Sequence, residues 1–377
     1  MAKRRMVIAL GHRALGTNLP EQKEAVGRTA QVLADFIQDG WQMCITHSNA
    51  PQVGMIHTAM NEFGREHDGY TSAPMSVCSA MSQGYIGYDL QNGIRSALIR
   101  RGIYKPVSTV LTQVTVDPYD EAFYTPIKKI GRLMGKEEAL AEEARGNDVV
   151  EVTDHASGPG GAVSGDLAMP GAPGHVPAPR RDGSAVGGTL QPGGAVSGTG
   201  GTPAPGGAVS GAGGANAPRT KLFSRVVASP APVAIIEIDA IKALLDADQI
   251  VIGAGGGGIP VMEQGYVLKG AGAIVEKDMA AGLLAREVDA DVLLILTAVD
   301  HASLRFGTPD ETPIRRMTPQ EAETYIEEGH FAPATMQPKI RASIDFIRSG
   351  KGRSAIITSA EKARDALRGG AGTLICE

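Results

Sequence analysis

Short apolar runs of strand length, each followed by a stretch of helix length, constrain this chain more than any other feature of its sequence. Met6-Val7-Ile8-Ala9-Leu10 contains no polar residue, as a strand buried on both faces of a parallel sheet requires. Pro20 opens a helical stretch with apolar positions at Val26, Val32, Leu33, Phe36 and Ile37, and Gly40 closes it. Trp41 to Thr46 reads as the next strand, Gly84 to Arg101 as a helix, and Ser108 to Val116 as one strand. The alternation resumes after Arg219. Helices are expected over 239–248, 279–288 and 338–347, and strands over 249–254, 292–299, 354–358 and 372–376. Thr318-Pro319-Gln320-Glu321 is a capping box with proline at the first helical position. Ser359 is expected to cap a short last helix. The class is α/β: a three-layer αβα sandwich around a mostly parallel sheet.

One stretch breaks the pattern. Residues 155–218 are Gly, Pro, Ala and Ser with almost no large apolar side chain, and the hexapeptide GGAVSG occurs there at 160–165, 193–198 and 206–211. With one valine per unit and irregular spacing, such a segment cannot offset its ordering entropy, so a mobile linker is expected that folding does not need. It accounts for much of the total of 49 glycines. The expected organisation is an N-terminal lobe over 1–118, a stretch over 119–224 that contains the linker, and a C-terminal lobe over 225–377.

A net charge of −5 gives no basic footprint for nucleic acid. No apolar run approaches the roughly 20 residues that span a bilayer. The basic start MAKRR is followed by only five apolar residues, so export is not expected. Three cysteines, Cys44, Cys78 and Cys376, have no paired spacing, which argues against zinc and suits a reducing, cytoplasmic compartment.

The chemistry gathers elsewhere. Ile250 to Ala254 leads into Gly255, Gly256, Gly257 and Gly258. Glycines after a buried strand let backbone N–H groups close on an anion, so phosphate contact is expected there; a tight strand-end turn is the bland alternative. The nearest P-loop match, Gly131 to Lys136, is too short and is followed by Glu137 where Ser or Thr should hold Mg²⁺; it also lies outside any expected strand-to-helix junction. Three lysines occupy unusual positions: Lys128 in a turn, and Lys277 and Lys339 at helix starts. A cation there opposes the helix dipole unless an anion lies between. Asp278 could then orient a Mg²⁺–phosphate complex or one of the lysines.

Nine segments resemble the carbamate kinase family, in its order and over nearly the whole chain outside the linker. They are VIALG near the N-terminus, THSNAPQVG (46–54), CSAMSQGYIGYDLQN (78–92), TQVTVDP (112–118), SRVVASPAP (224–232), IVIGAGGGGIPV (250–261), VEKDMAAGLLA (275–285), LILTAV (294–299) and EEGHFAPATMQPKI (327–340). The resemblance implies a dimeric kinase of the amino-acid-kinase type that moves phosphoryl between ATP or ADP, with Mg²⁺, and carbamate, a small anion. It also makes the stretch 119–224 a small protruding subdomain. Lys128, Lys277, Asp278 and Lys339 would be the active residues. Gly255 to Gly258 and Thr297, Ala298 and Val299 would lie near the nucleotide. Gly11 and the loop Asn49 to Gln52 would face the acceptor. His47 and His330 would be structural, because an anionic acceptor needs no general base.

Two departures fall on the acceptor side. The family's Gly-Gly-Asn-Ala-Leu is Gly11-His12-Arg13-Ala14-Leu15 here, and its Thr-His-Gly-Asn-Gly-Pro-Gln is Thr46-His47-Ser48-Asn49-Ala50-Pro51-Gln52. If His12, Ser48 or Ala50 had positive φ, the loops must change shape. Arg13 would suit an extra carboxylate. Three readings follow: a carbamate kinase, a kinase of a larger acceptor, or a nucleotide-binding homologue with little activity.

Overall fold

Alternation of side chains along the central strands decides the layering of this protein. In the computed structural model, which describes residues 4–16, 18–152 and 221–377, the strand Arg5–Leu10 sends Val7 and Ala9 into one apolar cluster and Met6, Ile8 and Leu10 into another. The first cluster is completed by helices Ile238–Asp246, Lys277–Glu287 and Gln337–Arg348. The second is completed by Leu19–Gln38, Met75–Ile99 and Ala363–Leu367. The sheet is therefore covered on both sides, and three layers result. Phe36 and Phe346, one in each helical layer, are fully buried; each such side chain contributes about 1.5–3 kcal/mol.

The sheet has eight strands in the order Arg316–Met317, Thr373–Ile375, Ser354–Ser359, Val292–Thr297, Arg5–Leu10, Gln42–His47, Ile250–Ile252, Val107–Thr109. The six from Ser354–Ser359 to Val107–Thr109 are mutually parallel, and Thr373–Ile375 runs antiparallel to its neighbour Ser354–Ser359. Arg5–Leu10 continues into Gln42–His47 on one side but pairs with Val292–Thr297 on the other. The order reverses beside it, and that is where crevices open in sheets of this kind. A three-stranded sheet, in the order Lys128–Met134, Leu222–Val227, Val149–Val152, and a four-stranded one, which includes Gln113–Val116 and Ile259–Gln264, complete the body.

The capping box is present: the Thr318 hydroxyl accepts from the Glu321 N–H at 3.2 Å, and the Glu321 carboxylate accepts from the Thr318 N–H at 2.7 Å. Four expectations need correction. Residues 108–116 form two strands in two sheets. The break falls at Thr112, whose N–H donates to Gln83 and whose hydroxyl accepts from the Ala254 N–H, so the chain leaves one ladder without losing hydrogen bonds. Lys128 opens a strand rather than sitting in a turn. The stretch 131–136 does join a strand to the helix Lys136–Ala144, but Gly131 to Met134 are strand residues, so no phosphate-sized loop exists. Ser359 ends a strand, and the N-cap of the last helix is Lys362, whose N–H donates to the Ser359 hydroxyl at 3.3 Å. The expected linker at 155–218 lies outside the described residues.

Candidate active site

Every loop of interest leaves the same edge of the large sheet, at the C-terminal ends of its parallel strands. Gly11 follows Arg5–Leu10, Ser48 and Asn49 follow Gln42–His47, Gly255 to Gly258 follow Ile250–Ile252, and Ala298 and Val299 follow Val292–Thr297. The Gly11 N–H donates to the Leu296 carbonyl at 3.0 Å and the Ser48 N–H to the Leu10 carbonyl at 2.9 Å, so neighbouring strand ends hold these loops together.

At this edge stands a buried carboxylate between two ammoniums. Lys277 donates to Asp278 Oδ1 at 2.5 Å and Lys339 to Asp278 Oδ2 at 2.6 Å. Asp278 is fully buried, while the lysine side chains are 11% and 13% exposed. Helix starts place all three: Lys277 and Asp278 open Lys277–Glu287, and Lys339 lies behind Pro338 in the first turn of Gln337–Arg348. Burial alone would raise the Asp278 pKa, but the two ammoniums outweigh it and hold the carboxyl well below the usual carboxylate range. Burial lowers the Lys277 pKa, and the Asp278 charge opposes that shift. Lys128 arrives from the three-stranded sheet and pairs with Glu276, the residue before Lys277. Glu276 carries no signal of its own in the sequence beyond its place in VEKD.

The residues that the resemblance assigns to the acceptor adjoin this cluster. The His12 pKa is lowered by burial, then by the charges of Arg13, Lys277 and Lys339. Burial pushes His47 down to about 4, with Lys277 adding to the effect and a hydrogen bond to the Ser48 carbonyl opposing it. His47 is therefore neutral at pH 7. Asn49 is buried and donates to the Ser82 hydroxyl at 2.9 Å. Gln52 donates to the Gly16 carbonyl and to Gln22, which leaves its own oxygen buried without a partner. Ala50 is exposed at the start of the helix Ala50–Glu66, which the sequence reading passed over.

The four glycines are all buried, and their neighbours explain why they are glycine. Gly256 has φ +67, and a Cβ there would come within 2.1 Å of the Asn49 side chain. Gly257 has φ +90, and a Cβ would meet the Val275 carbonyl at 2.2 Å. Two of the loop's N–H groups are spent internally, from Gly257 to the Ala254 carbonyl and from Gly258 to the Gly255 carbonyl. The run thus wedges the Asn49 loop against the turn before Lys277. Gly257→Ala is expected to cost about 2–4 kcal/mol by combining left-handed strain with overpacking, read as a fall in the denaturant midpoint.

Known proteins resemble this chain in sequence and in fold. The Amino acid kinase family model matches residues 202–359. The chain is 39% identical over 374 residues to the carbamate kinase-like protein YqeA of Escherichia coli, with 99% of each covered. It is 38% identical over 377 residues to the carbamate kinase of Clostridium perfringens, covering 98% of this chain and 99% of that one. The chain belongs to the carbamate kinase family. The structure of carbamate kinase from Giardia lamblia bound to AMP-PNP matches with a TM-score of 0.74 at 29% identity, over 100% of this chain and 99% of that one.

As a carbamate kinase family member, the chain keeps its altered acceptor loops without strain. Among the described residues, positive φ outside glycine occurs at Asp248, Ala254, Asp289 and Arg305, so His12, Ser48 and Ala50 carry none. Arg13 is exposed, and its guanidinium reaches toward the Ala298 carbonyl at 3.5 Å, in the loop after Val292–Thr297 rather than the loop around Asn49. Arg13→Asn is therefore expected to change kcat/KM for carbamoyl phosphate by no more than about twofold, as for a surface substitution. A rise of tenfold or more would show that Arg13 guards the acceptor site.

Proposed function

We propose that this protein transfers a phosphoryl group between ATP or ADP and carbamate or carbamoyl phosphate, with Lys128, Lys277 and Lys339 stabilising the charge in flight. The observation that carries this reading is the buried Lys277–Asp278–Lys339 array at the C-terminal edge of the sheet. In the direction of ATP synthesis, an oxygen of the ADP β-phosphate attacks the phosphorus of carbamoyl phosphate, the bond from phosphorus to the carbamoyl oxygen breaks, and carbamate leaves as an anion. No proton need move, so no general base is required. The protein's task is in-line positioning and charge neutralisation. Asp278 keeps two mutually repelling ammoniums in fixed positions, so little reorganisation is needed when charge spreads over the equatorial oxygens. Gly11, His12, Ser48, Asn49, Ala50 and Gln52 form the acceptor side of this reading, and Gly255 to Gly258 with Thr297, Ala298 and Val299 form the nucleotide side.

The donor set fits Mg²⁺ carried by the nucleotide rather than caged by protein. Among the described residues no group of three or more His, Cys, Asp or Glu could hold a metal ion, and both Asp278 oxygens are engaged by ammoniums. Bound to the phosphates, Mg²⁺ would supply further charge neutralisation.

A homodimer is part of the same reading. Val77, Met81 and Tyr88 are exposed along Met75–Ile99, at spacings that keep them on one side, and a second copy would cover them. Light scattering checks the mass. A cytoplasmic location is consistent with the unpaired Cys44, Cys78 and Cys376, and no helix among the described residues is long and apolar enough to cross a membrane. The deciding experiment is ATP formation from ADP, Mg²⁺ and carbamoyl phosphate by purified protein. ADP binding without turnover would sink the kinase reading in favour of a binding role.

A further inference from the structure

Glu276 is the charged residue of the site that the mechanism leaves without a task. It is the N-cap of Lys277–Glu287, and its carboxylate holds the Lys128 ammonium. Charges of alternating sign thus follow one another: Lys128 on Glu276, then Lys277 and Lys339 on Asp278. The two carboxylates differ in kind. Asp278 is fully buried and held from both sides. Glu276 is 21% exposed and pairs with Lys128, itself 27% exposed, while its charge also acts on Lys277. Although it sits at the N-terminus of a helix, its side chain makes no capping hydrogen bond there. A carboxylate in that position is favoured by the free N–H groups of the first turn. The helix start would therefore also stabilise this carboxylate once it let go of Lys128.

We propose that Glu276 is a placeholder for the substrate's phosphate. In the free protein its carboxylate occupies the seat on Lys128 that phosphate oxygens take during turnover, and substrate binding sends it back to the helix start. This rests on the kinase reading above. The exchange is downhill because a phosphate group brings more negative charge and more acceptor oxygens than one carboxylate. Until then the pair keeps Lys128, which belongs to a separate sheet, at Glu276, the residue before Lys277. The ordering of a long side chain is thus completed before substrate arrives. Glu276 is a positioning residue: it acts through Lys128, and it lowers affinity for the anion it imitates.

The test compares Glu276→Gln with the native protein. The amide keeps the shape and removes the competing charge. The Kd for inorganic phosphate, measured by calorimetry, is expected to tighten about three- to fivefold, the range for a partly exposed ion pair. KM for carbamoyl phosphate should fall by a similar factor, with kcat changing less. In a Lys128→Met background the same substitution should leave the phosphate Kd unchanged, because the residue through which it acts is gone. Glu276→Asp, which keeps the charge, should return Kd toward the native value. A phosphate Kd that stays the same or weakens in Glu276→Gln overturns the proposal. So does an equal tightening in the Lys128→Met background, which would mean that Glu276 acts directly on Lys277. If Glu276→Gln does not fold, Glu276→Asp decides: its shorter reach loosens the hold on Lys128, so its phosphate Kd must be tighter than native, and a Kd that is unchanged or weaker overturns the proposal. The phosphate titrations need no turnover. Failure of the kinase reading therefore shows in the ATP-formation assay, and failure of the placeholder shows in the titrations.

Discussion

Asp278→Asn is expected to lower stability by about 3–5 kcal/mol and turnover by at least about 10²-fold. The substitution removes the one charge that both Lys277 and Lys339 hold, and leaves two ammoniums, each nearly nine-tenths buried, facing a neutral amide. Breaking a buried ion pair from one side costs that much because the remaining charges lose their compensation. Replacing all three residues by neutral, well-packed side chains should recover much of the stability and none of the activity, which separates the two roles. Urea denaturation of the three proteins checks this. The same carboxylate sets part of the acid response. Its folded pKa lies below the unfolded value of about 3.9, so its stabilisation is complete above that value and is lost as pH falls through the folded pKa. His47 acts earlier. Its folded pKa of about 4 lies below the ordinary value of 6.5, so the unfolded chain takes up the proton first. Stability therefore begins to fall below about pH 6.5 and keeps falling to about pH 4, by roughly 3 kcal/mol for a fully buried imidazole. His57, also held down to about 4 by burial and by the Arg225 charge, acts in the same window, so His47→Gln should reduce that stage without abolishing it and leave the lower one. An unchanged profile would show that His47 becomes charged without penalty.

Lys277→Ala and Lys339→Ala are each expected to lower kcat by roughly 10²–10³-fold, the usual effect of losing one charge contact to a transition state. Stability should fall less than in Asp278→Asn, because Asp278 keeps one ammonium in either variant. The Lys339 ammonium is also held by the Thr335 carbonyl at 3.1 Å, so its position does not depend on Asp278 alone. Lys277→Ala should therefore lower stability no more than Lys339→Ala, since it leaves the better-anchored partner in place. Saturating kinetics beside denaturant midpoints check both. Native kcat in both variants would remove these lysines from the chemistry.

The layered fold was legible in the sequence because burial on both faces leaves strands such as Met6 to Leu10 without polar residues. Lys277 and Lys339 were legible for a related reason, since a cation at a helix start opposes the dipole unless something compensates it. What compensates them, Asp278, was visible only as a neighbour in sequence; its contact with Lys339 spans 61 positions and is set by two helices packing together. Glu276 could not be found, because a surface-type residue gains its meaning from Lys128, 148 positions away in another sheet. The close fit of the glycine run against Asn49 and Val275 was not legible, because composition says nothing about what a Cβ there would meet. The break at Thr112 was hidden because a satisfied threonine leaves β-propensity undisturbed on either side.

The central place of Arg5–Leu10 has a consequence for biosynthesis. This strand leaves a ribosome well before Val292–Thr297, which covers one of its edges. About 280 residues separate the two, which at about 5–20 residues per second means a wait of roughly 15–60 s. During that time the nascent protein carries an apolar strand with one unpaired edge, a template for association with neighbouring chains. Truncated products that stop before residue 292 should therefore collect in the insoluble fraction, whereas those that include it have the means to close the sheet.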